Sequence, residues 1–164
     1  MRLLTLLFFA LIIASCVNAP NYPAEPVLTF ERLSKNQIYQ FTNGPQDSLQ
    51  IQFSFTDGDG DLSQLTSDSI DIFLEDSRFP GFVTPFSLPL IPEEGTGNGI
   101  SGDIFIDIVN TSAQICCVAN RRICAENPDV PIDTFSYSIQ IVDRAGNFSN
   151  TIRTTPIEIL CLNQ

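Results

Sequence analysis

From Leu49 to Phe55 apolar and polar side chains alternate without a break: Leu49, Ile51, Phe53 and Phe55 against Gln50, Gln52 and Ser54. A period of two sends successive side chains to opposite faces of an extended chain, so this run predicts a strand with one buried face. The same period returns at Ile70, Ile72 and Leu74, at Ile104, Ile106 and Ile108, and at Phe135, Tyr137, Ile139 and Ile141. Clusters of glycine, proline, asparagine and aspartate separate the runs, and no stretch keeps helical spacing over three turns. Seven strands follow in order: A at 27–33, B at 48–56, C at 68–76, D at 83–90, E at 101–110, F at 134–143 and G at 148–161. Ile38 to Phe41 continues A after a polar break, which makes the count seven to eight. Pro85 and Pro89 mark D as an edge strand, since proline cannot donate to a ladder. The pattern predicts an all-β fold, a single antiparallel β-sandwich over residues 27–164.

What precedes residue 27 follows a different logic. Arg2 opens the chain, and Leu3 to Ala14 form an apolar run well short of the ~20 residues that span a bilayer. The run ends in Ile13-Ala14-Ser15-Cys16, which resembles the lipobox of bacterial lipoproteins. That resemblance implies a signal peptide at 1–15 and a lipidated Cys16, whose several acyl chains hold a protein stably on a bilayer. The expected location is the cell envelope, on the outer membrane. Residues 17–26 carry Pro20, Pro23 and Pro26 with one charge, so 16–26 reads as a stiff tether of roughly 30 Å.

Composition narrows the function. The chain has 8 basic and 19 acidic residues; without Arg2 the mature balance is 7 − 19 = −12. A surface that acidic repels nucleic acid and favours cations. Histidine and tryptophan are both absent. Without histidine the commonest general base and transition-metal ligand are missing, and no enzyme is expected.

Cys116, Cys117, Cys124 and Cys161 remain after Cys16, an even count that reads as two disulfides in an exported chain. Adjacent residues on an extended chain point apart, so Cys116 and Cys117 pair separately with Cys124 and Cys161; both such pairings stay open. A zinc site is the rival, but the spacing C-C-x6-C-x36-C lacks the usual C-x2-C clips.

Strand B runs into Asp57-Gly58-Asp59-Gly60-Asp61-Leu62. In an immunoglobulin-like sandwich the B–C, D–E and F–G connections share one end. Here they are the loop 57–67, the loop 91–99 with Glu93 and Glu94, and the hairpin from Asp143 to Asn147. Carboxylates gathered this way repel unless a cation sits among them. Calcium suits the donors, because it takes six to eight oxygens in a tolerant geometry. The loop is not an EF-hand: Leu62 stands where that motif needs glycine, and Asp68 where it needs glutamate. A solvated Asp-Gly turn is the plainer reading. By the same strand order, Cys161 at the tail of G falls at the far end, with the connection that carries the other three cysteines.

Two motifs carry a family resemblance. The Asp-Gly-Asp-Gly-Asp-Leu loop behind a Phe-rich strand resembles uncharacterised lipoproteins of Bacteroidota-type bacteria. The segment Ile141-Val142-Asp143-Arg144-Ala145-Gly146-Asn147-Phe148-Ser149 resembles the closing hairpin of bacterial immunoglobulin-like and cadherin-like repeats. The resemblance implies an immunoglobulin-like sandwich and a calcium ligand at Asp143. The chain lacks the other cadherin calcium motifs and holds one domain, which leaves an ion within the domain. The expected ligands are Asp57, Asp59, Asp61, Asp143 and Asn147.

These readings converge on a non-catalytic, membrane-anchored envelope module, structural or partner-binding, stabilised by calcium, with an unknown protein or glycan partner. The alternative is carbohydrate binding, with Phe79, Phe82 and Phe86 as the stacking platform in a Pro/Gly-rich stretch. Paired carboxylates are the raw material of glycoside hydrolysis, but nothing else in the chain supports catalysis.

Overall fold

The computed structural model describes residues 21–40, 46–63, 69–92, 99–111, 115–119, 122–125 and 128–161. Cys16, the signal segment, the outer tether, Glu93 and Glu94 lie outside the described residues.

The chain is all-β, and no described helix is long and apolar enough to cross a membrane. Among the described residues twelve strands follow one another: β1 (Val27–Leu33), β2 (Gln37–Tyr39), β3 (Ser48–Asp57), β4 (Ile72–Asp76), β5 (Val83–Phe86), β6 (Ile100–Val109), β7 (Val118–Ala119), β8 (Arg122–Ile123), β9 (Ile132–Phe135), β10 (Tyr137–Ile141), β11 (Ile152–Arg153) and β12 (Ile157–Leu160). One sheet has the order β1-β3-β6. The facing layer is β11-β10-β4-β5, prolonged along the same chains by β2-β12-β9. Strands β7 and β8 form a separate hairpin.

The alternation seen in the sequence decides which side chains lie between the layers. Leu49, Ile51, Phe53 and Phe55 of β3 and Ile104, Ile106 and Ile108 of β6 face Ile72, Leu74, Tyr137, Ile139 and Ile141, all in one buried cluster. Each such side chain contributes about 1.5–3 kcal/mol on full burial, so this cluster drives the fold.

The predicted strands are there, with two of them broken and C shortened to Ile72–Asp76, before which Ile70, expected on the apolar face, is 48 % exposed. Strand F divides into β9 and β10 at Ser136, where the Tyr137 N–H donates to the Thr154 hydroxyl instead of to a facing carbonyl. Strand G divides into β11 and β12 across Thr154, Thr155 and Pro156, the last having no N–H to donate. Strand D stops at Phe86, after which Leu88 turns into the core. The ladders are antiparallel except for β2, which runs parallel to β12.

Cys117 is bonded to Cys161 and Cys116 to Cys124. The first bridge ties the connection after β6 to the end of β12, and the second closes that connection on itself, as strand order suggested. Gln40, fully buried beside them, donates to the Cys161 carbonyl.

Candidate metal centre

The opposite end of the sandwich holds the aspartates. Asp57 is not a turn residue, as the sequence reading had it, but the fifth inward position of β3, in phase with Leu49, Ile51, Phe53 and Phe55. Its ladder partner is Ile100 of β6. Asp143 follows β10 in phase with Tyr137, Ile139 and Ile141, so it points inward from the facing layer. Where two more apolar side chains would complete the core, both layers place a carboxylate, each 0 % exposed.

Between them the loop 58–62 folds back. Gly60 has φ +72°, a left-handed conformation that side-chain-bearing residues adopt at a cost. Leu62, fully buried, pins the loop to the core. Asp59 and Asp61 are thereby turned onto Asp57 and Asp143, and one carboxylate oxygen from each of the four lies within 4.8 Å of the others.

Their hydrogen bonding divides the four. Asp143 is held by Asn147, whose backbone and side-chain N–H groups donate to Oδ1 and Oδ2 at 2.8 and 2.9 Å. Asn147, expected as a ligand, thus holds the Asp143 carboxylate in place through two donated hydrogen bonds. Asp57 has no such help: neither carboxylate oxygen has a hydrogen-bond partner among the described residues, and the same holds for Oδ1 of Asp59 and of Asp61. A buried ionised carboxylate without partners costs several kcal/mol. Burial, then the charges of Asp59, Asp61 and Asp143, pushes the Asp57 carboxyl up to about 7. Burial, then Asp143 and Asp59, also raises Asp61.

Three connections are stitched around this group, largely by a residue to which the sequence gave no role. The Arg144 N–H donates to the Asp61 carbonyl at 3.1 Å. Its guanidinium donates to the carbonyls of Ser63 and Ile91, the latter at 2.7 Å. Ser63 in turn accepts from the Ile91 N–H at 2.7 Å. An arginine five-donor fork serves several carbonyls at once, which a lysine cannot do as well. The inner end of the tether joins them: the Gly58 N–H donates to the Pro23 carbonyl at 2.7 Å. A Cβ on Gly58 would stand 2.4 Å from the Tyr22 oxygen, so only glycine admits this crossing. The segment leading into β1 therefore enters the domain at the acidic end.

Asp71 was also missed. It is fully buried, and its Oδ2 accepts from the Ser69 hydroxyl and the Leu88 N–H while Oδ1 has no partner among the described residues. It pins the start of β4 to the segment after β5. No spacing in the sequence marks it, because one of its two partners, the Leu88 N–H, comes from a distant segment.

The three phenylalanines of the alternative reading do not form one platform. Phe82 is 64 % exposed, but Phe79 lies under the Arg78 guanidinium and Phe86 packs against the core.

No family model, no curated protein and no solved structure matches the chain.

Proposed function

We propose that this is a non-catalytic lipoprotein of the bacterial cell envelope, anchored at Cys16, whose sandwich is locked at its membrane-proximal end by one calcium ion. The observation that supports it most is Asp57, fully buried with both carboxylate oxygens unpartnered, within a group of four carboxylates. Such a group is stable if protons or a cation compensate its charge. The donors are all oxygen and the chain has no histidine, which favours a hard cation. Four carboxylates gathered from a strand end, an irregular loop and the residue after β10 suit calcium better than magnesium, whose octahedron is stricter. The ion would join β3, the loop 58–62 and the residue after β10, and so fix the point where the tether meets the domain.

In this reading the protein holds or presents a surface at a set distance from the membrane and performs no chemistry. Two measurements test it. Calorimetric titration with calcium should show one site per chain, lost in Asp59→Ala; a blank titration removes the ion. Detergent phase partition should put the wild-type chain in the detergent phase and Cys16→Ser in the aqueous phase; identical partition of the two removes the anchor.

A further inference from the structure

The two flanks of the sandwich are closed differently. On one, the Asn150 side chain accepts from the Leu28 N–H at 2.7 Å and donates to the Leu28 carbonyl at 3.0 Å, which joins the layers across β1. On the other flank, β6 and β5 are the outermost strands of their sheets, and among the described residues no hydrogen bond joins them.

Strand β6 pairs with β3 over ten consecutive positions with no register shift. Its second edge is therefore a straight row of backbone donors and acceptors, a template for another strand. Edges are commonly blunted by proline, a bulge or charged side chains, lysine above all; Ile100–Val109 has no proline, lysine or bulge, and its two charges are both acidic, Asp103 and Asp107. Beside this edge a groove of about 220 Å³ runs between β6 and β5, its apolar lining from Leu74, Phe86, Ile108 and Ile115 and its polar lining including Asp107 and Thr84. The groove opens onto core side chains. On the outward face of the same strand stand Asp103 and Asp107, both exposed and without a cationic partner among the described residues.

We propose that the outer edge of β6, unpaired among the described residues, receives an extended segment of a partner protein, apolar on one side and basic on the other. Backbone hydrogen bonds would supply affinity, apolar side chains at alternate positions would enter the groove, and lysines or arginines between them would meet Asp103 and Asp107. Charge selects this occupant over a second copy of the chain. Antiparallel pairing of β6 with itself sets Asp103 and Asp107 opposite or diagonal to their own copies, and like charges across strands repel.

The test uses the full chain in detergent with three ten-residue probes: alternating valine and lysine, the same peptide N-methylated at alternate residues, and alternating valine and glutamate. The valine–lysine peptide should shift the backbone amide resonances of residues 100–109, and bind roughly tenfold or more tightly than either control. Asp103→Lys/Asp107→Lys, on the exposed face, should transfer the preference to the glutamate peptide. Equal binding of the N-methylated peptide, or shifts confined to other residues, overturns strand addition. Self-association of the chain that is strengthened by the double lysine substitution points to a second copy and overturns the basic partner.

Discussion

The acidic end and the disulfide end of this sandwich meet the same requirement, closing loops between two layers, with opposite means. At the disulfide end covalent bonds do it, and a guanidinium stands between the carboxylates there. Arg78, 10 % exposed at its side chain, donates to Asp76 at 2.6 Å and to Asp133 at 2.9 Å, and lies 4.4 Å over the ring of Phe135. Burial would raise the Asp133 carboxyl, but the Val118 N–H and the Arg78 guanidinium outweigh it and hold the group below its usual range. At the acidic end four carboxylates meet, and burial with mutual repulsion drives Asp57 the other way. The same residue type titrates in opposite directions within one small domain because Asp133 meets a guanidinium and a backbone N–H, whereas Asp57 is buried beside other carboxylates. The difference teaches where each end is vulnerable: one to reduction, the other to pH and, on the proposal above, to chelation.

The comparison can be broken, starting from its largest expected effect. Replacing Cys117 and Cys161 by alanine frees a loop of 44 residues and should cost about 4 kcal/mol in urea unfolding, against about 2.5 kcal/mol for Cys116 and Cys124, which close 8. Equal costs would mean that the longer bridge does not constrain the unfolded chain. Arg78→Ala leaves two carboxylates facing each other across a buried site and should cost about 3 kcal/mol by the same measurement. A loss under about 1 kcal/mol would class the pair with exposed ion pairs.

At the acidic end Gly60→Ala must hold a left-handed backbone and should cost about 1 kcal/mol. Gly58→Ala should instead speed hydrogen exchange at its own amide, since the new Cβ displaces the Pro23 carbonyl. Unchanged exchange there would show that the tether is not docked.

The smallest effect is the pH profile, because Asp59 and Asp61 are half-buried and water screens them. Asp133, with a depressed folded pKa, adds stability that is present above the unfolded value and is lost as pH falls through the folded one. Asp57 has the reverse sign. Its folded pKa of about 7 adds stability fully present below about 4, lost as pH rises toward and through 7 when no cation is supplied. In chelator, urea unfolding of the wild-type chain should therefore weaken from pH 5 to pH 8, and Asp57→Asn should flatten that slope.

Much of this was legible in the sequence, and the reasons are particular. Alternation at Leu49–Phe55 and Tyr137–Ile141 located the core strands, because a period of two is local information. Strand order then brought Asp57, Asp59, Asp61 and Asp143 to one end and the cysteines to the other. What stayed hidden depended on contacts across the chain. Asp57 read as the start of a loop, although its odd-numbered phase with Phe53 and Phe55 was a signal that it faces inward. Arg144 sat in a quoted motif with no role, since its acceptors at Ser63 and Ile91 are distant carbonyls that any residue could supply. The break of strand G had a visible sign in Pro156, whereas that of strand F came from the Thr154 hydroxyl, which no local pattern marks. The choice of Cys117 over Cys116 for Cys161 needed the packing around Gln40.

The central claim is that the acidic end lacks only its cation, and thermal unfolding with and without calcium addresses it most directly. At neutral pH, calcium at about a hundredfold over its dissociation constant should stabilise the wild-type chain by about 2.7 kcal/mol relative to chelator. The Asp57→Asn chain, in which the buried charge is gone, should melt at nearly the same temperature in both. A wild-type melting temperature unchanged by millimolar calcium, or an Asp57→Asn response equal to wild type, would contradict the account.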